Sequence, residues 1–499
     1  MKRHSRCIMF QGTGSGAGKS IVAAAMCRAI KRRGIKVAPF KAQNMALNSF
    51  VTARGDEMGR AQVFQAEACG LLPDVRMNPV LLKPSADARS QVILMGQPDE
   101  HVSAADYYQR SKKHWQIVTR AFDSLSEEFQ VMVLEGAGSP AEINLQATDI
   151  VNMKMAEYAQ AAVIIVADID RGGVFAALKG TYDLVQEKHR RLIKGFLINK
   201  FRGDVKLLRP GLEMFRKIVP VPVIGVLPWF TDIHVDEEDG VFVNNLASSG
   251  RDSDDLIISV VKLPRISNFT DFSPLSCEPG VSVKLVTTPD EAAGSHMIII
   301  PGTKATIPDL ESMRDKGWQE ALSRFVCRGG FVMGICGGYQ ILGQTITDDH
   351  GADGRAGTTR GLGLLPVKTR MAREKTLKQV SITLSNPYFS PSPIDIKGYE
   401  IHMGQTMSTN PHCSLGEGLG PETGVYDAEK GVLGTYLHGI FENDEFRAAL
   451  LNLVRRTSHL PEKKTGLNYR RFRARQFDLL ADWLEASCDM EKLMGFIHG

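Results

Sequence analysis

No cysteine of this chain pairs with another in a Cys-x-x-Cys spacing, and the eight that occur are scattered. A disulfide framework and a zinc site are thereby excluded as organising features, and a reducing, cytoplasmic setting is predicted. Long apolar runs are missing as well. Nothing approaches the ~18 residues of a membrane span, and the start, MKRHSRCIMFQG, is charged without an apolar stretch suited to a signal peptide. Charge of one sign is not in excess: a net charge of +4 gives no argument for nucleic acid or an acidic membrane as partner. Internal repeats at solenoid periods are absent. What is present, 43% hydrophobic and 23% charged residues in a chain of 499, describes an ordinary globular protein with two large domains or three average ones.

The first half alternates short Val/Ile/Leu runs with helical patterns. Candidate strands are IKVAPF (35–40), VMVLEG (131–136), AAVIIVAD (161–168), KGFLINK (194–200) and VPVIGVLP (221–228). Continuous apolar strands separated by crossover-length segments predict a doubly wound parallel sheet, with ligands at the carboxyl ends of its strands. A polar, acidic stretch follows, and 236–252 is predicted as a linker between a domain over 1–235 and a second over 253–450. The second alternation comprises LIISVVKL (256–263), VSVKLVTT (281–288), HMIIIPG (296–302), FVMGI (331–335) and GVLGTYLH (431–438), again α/β. Residues 345–430 read as β-hairpins and loops. Residues 451–499 read as a helical extension whose basic cluster RRFRAR (470–475) is a solvated helix face.

Two stretches carry chemistry. Gln11 to Ser20, QGTGSGAGKS, lies between an apolar strand and a helical pattern, the context of a phosphate-binding loop. Lys19 is placed to reach the β- and γ-phosphates and Ser20 to ligate Mg²⁺. The spacing is irregular: counted back from Gly18, the first glycine of the pattern falls on Thr13, with Gly12 one residue earlier. Phe331 to Gln340, FVMGICGGYQ, is the second stretch. Cys336, flanked by glycines between strand and helix, reads as a nucleophile at a tight elbow, and the following helix N-terminus favours the thiolate. His438, ending a strand in TYLHG, is the candidate base, and the strand-end turn at Gly302, with Gly337, supplies oxyanion donors.

Together these centres resemble a glutamine-dependent amidotransferase: a dethiobiotin-synthetase-like P-loop domain followed by a class I glutaminase-like α/β domain. The ordered set VAPFKAQNMALNS (37–49), DEMGRAQ (56–62), MNPVLLKP (77–84), EGAGSPAEINL (135–145), DIDRGGVF (168–175), GFLINKFRGD (195–204), LPRISNFTDF (263–272) and PGTKATIPDL (301–310) resembles the cobyric acid synthase family, over nearly the whole chain. The resemblance implies ATP- and glutamine-dependent amidation of the b, d, e and g carboxylates of adenosylcobyrinic acid a,c-diamide, with glutamine and a corrinoid as small-molecule partners. It implies roles for Lys41 between γ-phosphate and carboxylate, for Glu135 beside the metal with Asp56 or Glu57 as a further carboxylate, and for Asn199 in reading adenine. Lys83 is a candidate for the corrin site. The wider glutaminase class carries an acid two residues after the histidine, where this chain has Ile440, with Glu442 and Asp444 beyond it; the orienting partner of His438 stays open. The alternatives are the sister enzyme that makes the a,c-diamide and, from another class, a ParA- or MinD-like ATPase switch, whose signature lysine is replaced here by Gly14.

Overall fold

The structure is a computed structural model that describes residues 5–84, 89–103, 110–230, 232–235, 255–351, 353, 356–410, 412–464 and 466–498. The predicted linker over 236–252 lies outside the described residues. The chain divides into two compact units, one comprising 1–46, 57–239 and 473–499, the other 47–56 and 240–472.

The first unit is built on six parallel strands: β1 (Arg6–Gly12), β2 (Val37–Phe40), β3 (Val131–Glu135), β4 (Ala162–Asp168), β5 (Ile193–Phe201) and β6 (Val223–Pro228). Their order is β6-β5-β4-β1-β3-β2. All five strands anticipated in this region are present, because their runs are apolar on both faces: β3 is buried throughout and β1 after its first residue. The chain leaves β1 toward β2 on one side, whereas β3 leads to β4 on the other. The crevice at the carboxyl ends of β1 and β3 is therefore the switch point where ligands gather. Helix α1 (Lys19–Arg32) starts from that crevice and ends on Lys31 and Arg32, which suit the negative end of its dipole. A second sheet of four short strands, Gln43–Met45, Val80–Pro84, Arg89–Leu94 and Gln97–Ser103, was not legible in the sequence.

The second unit holds β7 (Leu256–Val261), β8 (Val281–Val286), β9 (Met297–Ile300), β10 (Phe331–Ile335), a long hairpin β11 (Val367–Leu384) and β12 (Ile394–Ser408), then β13 (Gly424–Asp427) and β14 (Val432–Thr435). Its main sheet runs β8-β7-β9-β10-β14-β13, parallel except for the last pair. The hairpin pairs from Val367–Ser408 to Leu384–Ile394 with one irregularity between Met371 and Thr376.

The C-terminal residues do not form one extension. The helix Asp444–Thr457 buries Leu450, Leu451 and Val454 in the core of the second unit. Helices Tyr469–Ser487 and Met490–His498 bury Phe477, Leu480, Leu484, Leu493 and Ile497 in the core of the first. Their apolar positions recur at helical spacing and need a face to cover. The basic cluster behaves as a helix face: Arg473 pairs with Glu67 at 2.6 Å and lies over Phe64 and Phe477. Among the described residues no helix is long and apolar enough to cross a membrane.

Candidate active sites

In the first unit the stretch after β1 turns sharply into α1. Gly16 and Gly18 take φ of 71° and 92°, a left-handed backbone that glycine adopts without penalty. A Cβ on Gly18 would also collide with the Asn199 amide. Asn199, at the end of β5, donates from Nδ2 to the Ala17 carbonyl at 2.9 Å, and its Oδ1 accepts from Lys200 N at 2.8 Å. Asn199 thereby clasps the loop from the end of β5. At the loop's start, Thr13 N donates to Val166 O at 3.0 Å, and a Cβ on Gly12 would press on Gly14 O and the Lys19 side chain. Lys19 Nζ donates to Gly14 O at 2.9 Å and so curls back over the loop.

Glu135, ending β3, is the hub of this centre. Its Oε1 accepts from Ser20 Oγ and from Lys41 Nζ, both at 2.8 Å, and its Oε2 accepts from Gln65 Nε2 at 2.5 Å. Burial by itself would push this carboxyl's pKa up. Lys41, followed by Lys19 and Ser20, outweighs that and holds it below the ordinary value, so the group is ionised. Lys41 is buried and ion-paired, not a surface lysine. Asp56 and Glu57 part company: Glu57 pairs with Lys83 at 2.8 Å, both side chains buried, whereas Asp56 falls in the other unit, on a turn where Thr52 N donates to Asp56 O at 2.8 Å. Lys83 is therefore committed to a buried partner, which leaves its suggested corrin contact without support.

Among the described residues no cluster of three or more His, Cys, Asp or Glu side chains exists to cage a metal. Magnesium does not need one. It favours oxygen donors, keeps several waters and is commonly bound by one or two carboxylates plus substrate phosphates. Ser20 Oγ against Glu135 Oε1 supplies that donor set. The buried oxygens Gln11 Oε1 and Gln65 Oε1 have no hydrogen-bond partner.

In the second unit Cys336 sits between β10 and the helix α2 (Gly337–Leu342) with φ 52° and ψ −109°, a conformation costly for a residue with a Cβ. The elbow packs against the end of β9. A Cβ on Gly338 would overlap Ile300 O, and one on Gly337 would lie 2.7 Å from Thr303 Cγ2 and 3.2 Å from Thr303 N. The Gly302–Thr303 turn and the start of α2 therefore converge, as an oxyanion site requires. Gly302 also borders the base: a Cβ there would lie 3.2 Å from His438 Cε1.

His438 is buried, with the Tyr399 ring stacked on it at 5.3 Å between centroids. Its backbone is fixed by a two-way bridge, His438 N to Tyr399 O at 2.9 Å and Tyr399 N to His438 O at 3.1 Å. The open question of its orienting acid is answered by Asp271. Asp271 Oδ2 lies 2.7 Å from His438 Nδ1, and its Oδ1 accepts from Gly439 N at 3.0 Å. Burial alone would lower the histidine pKa. The charge and hydrogen bond of Asp271, aided by hydrogen bonding to Cys336, overturn this and raise it to about 10. Glu442 is exposed on a short 3-10 turn, and Asp444 caps elsewhere, bonded to Arg447 at 2.9 Å and Tyr469 N at 3.0 Å. Sequence reasoning missed Asp271 because it looked beside the histidine. The acid lies 167 residues upstream, inside the LPRISNFTDF stretch already singled out.

Both units are matched by family profiles. Residues 8–241 match the CobQ/CobB/MinD/ParA nucleotide binding domain, and residues 257–446 match the CobB/CobQ-like glutamine amidotransferase domain. Cobyric acid synthases from Salmonella arizonae and Salmonella agona are 46% and 45% identical to this chain, each over 98% of both proteins. Among solved structures, PurLQS from Thermotoga maritima aligns at 17% identity over 40% of this chain and 98% of that one, with a TM-score of 0.30, too low to carry an argument. MinD and ParA share only the first of the two profiles, so a switch ATPase leaves the Cys336 centre without explanation. The likeness that spans both centres, in order and end to end, is to the synthases: the chain belongs to the cobyric acid synthase family.

Proposed function

We propose that the two centres act in series, the second unit releasing ammonia from glutamine and the first using ATP to make corrinoid carboxylates receptive to it. The observation that carries this reading is the Cys336–His438–Asp271 array beside converging backbone at Gly302 and Gly337. The Cys336 thiolate attacks the glutamine amide carbon, the oxyanion sits against the N–H groups of that converging backbone, and protonated His438 gives its proton to the departing ammonia. A glutamyl thioester remains. Neutral His438 then takes a proton from water, whose hydroxide attacks the thioester, releasing glutamate and restoring thiolate and imidazolium. Asp271 holds the ring and stabilises its charge through both halves.

In the first unit a substrate carboxylate attacks the γ-phosphorus of ATP and ADP leaves, forming an acyl phosphate. Ammonia displaces phosphate from it, giving the amide. Lys19 and Lys41 supply positive charge to the transferring phosphoryl group, and the loop backbone grips the triphosphate. Ser20 and Glu135 would hold Mg²⁺, which when bound neutralises charge on the β- and γ-phosphates. The substrate class is adenosylcobyrinic acid a,c-diamide, amidated at its b, d, e and g carboxylates. Incubation with ATP, glutamine and that corrinoid, followed by mass spectrometry, should give products one mass unit lighter per amidation. An unchanged a,c-diamide, together with conversion of unamidated cobyrinic acid to the a,c-diamide when that acid is supplied instead, would favour the sister activity.

A further inference from the structure

Glu400 lies on β12 next to the nucleophile yet has no part in the triad. It is 1% exposed, and its Oε1 has no hydrogen-bond partner. Its other oxygen, Oε2, lies 3.1 Å from Lys378 Nζ and 3.2 Å from His402 Nε2. Between Glu400 and His402 stands Ile401, whose carbonyl oxygen is 3.5 Å from Cys336 Sγ. His402 is fixed in turn: its Nδ1 lies 2.8 Å from Gly404 O, and its ring stacks on Tyr436 at 3.7 Å between centroids. A buried carboxylate oxygen with no donor is costly and calls for an explanation, of which a bound partner that supplies the missing donor is one.

The ligand that reaches Cys336 under the proposed function is glutamine, and its α-carbon carries an ammonium a few bonds from the attacked amide carbon. From the open Glu400 Oε1 beside the strand that touches Cys336, we infer that Glu400 receives the α-ammonium of glutamine, with His402 as its positioning residue. The carboxylate matches the ammonium in charge and hydrogen-bonding direction. Lys378, about half exposed beside it, provides opposite charge for the substrate's α-carboxylate. The site thereby selects a free α-amino acid amide over a simple amide of the same length. The inference rests on the glutaminase reading of Cys336.

Its test compares glutamine with 4-carbamoylbutanoate, which keeps the amide, chain and terminal carboxylate but lacks the α-amino group. Ammonia release is measured for both in the full-length protein and in Glu400→Gln. A hydrogen bond to a charged group corresponds to roughly a 10- to 100-fold effect. Glu400→Gln should lower kcat/KM for glutamine by about that factor, mostly through KM, and change the analogue by less than about threefold. Retained turnover of the analogue, which needs the same Cys336 centre, checks that the second unit of the variant is folded, and Glu400→Asp should recover part of the preference for glutamine. Equal losses on both amides would overturn the inference and make Glu400 a support of the triad. Unchanged glutamine turnover with fewer amides formed per glutamate would overturn it in favour of an ammonia relay. Absence of glutamine hydrolysis by the unaltered protein would instead defeat the proposed function itself.

Discussion

Each unit sets a reactive group at the carboxyl end of a parallel strand, just ahead of a helix, and the backbone pays for the turn in different places. In the first unit the positive-φ positions are Gly16 and Gly18, and Lys19 and Ser20 follow in ordinary helical geometry. In the second the proposed nucleophile itself, Cys336, takes φ 52°, and glycines 337 and 338 make room for the packing around it. The contrast follows from the chemistry. A polyphosphate is gripped by backbone N–H groups, so the turn can be left to residues without side chains. A nucleophile must be a side chain, so the strain, on the order of 1–3 kcal/mol, falls on it. The partners differ in the same sense. Glu135 ends β3, Lys41 follows β2 and Ser20 opens α1, whereas the acid of the second centre, Asp271, comes from a short 3-10 helix, Phe269–Phe272, outside the sheet.

The sharpest way to break this comparison is to remove the distant acid. Asp271→Asn should lower glutamine hydrolysis by about 10⁴, the scale on which a triad acid acts, while ammonia-dependent amidation is kept. A loss under tenfold would mean that His438 is oriented by something else. On the other side, Lys19→Ala should cut amidation with either nitrogen source by roughly 10² or more, since a preorganised cation is lost from the transferring phosphoryl group. Near-normal turnover at saturating ATP would remove the P-loop from the mechanism.

A pH series tests the charge state of the His438–Asp271 pair. The folded pKa of His438 is raised to about 10, so its pair with Asp271 stabilises fully below the unfolded value of ~6.5 and loses that contribution as pH rises toward 10. Denaturation of wild type and Asp271→Asn should therefore differ most near pH 6 and converge by about pH 10. A gap that widens with pH would contradict the charge state given to the pair. The smallest effect is expected at Glu442. Glu442→Gln should change glutaminase turnover by less than about tenfold, because an exposed carboxylate on the turn after His438 does not stand in for a triad acid.

These differences also explain what was legible in the sequence. The parallel strands could be read because burial on both faces leaves continuous apolar runs such as AAVIIVAD. The P-loop and the elbow could be read because their chemistry is compressed into ten residues. Asp271 could not, since no local pattern marks an acid that meets its histidine only after a parallel sheet has closed. The helices after Tyr469 misled for a related reason: an amphipathic pattern shows that a face is buried, not which core buries it. The pairing of Lys83 with Glu57 was hidden in the same way, behind a sequence separation of 26 residues.

The central claim is that ammonia is made at Cys336 and consumed at the P-loop centre. Cys336→Ala tests it most directly, with corrinoid products followed by mass spectrometry in the presence of ATP and either glutamine or ammonium salt. The account predicts no amidation from glutamine and near-wild-type amidation from ammonia. Loss of both in a folded variant, or retained use of glutamine, would contradict it.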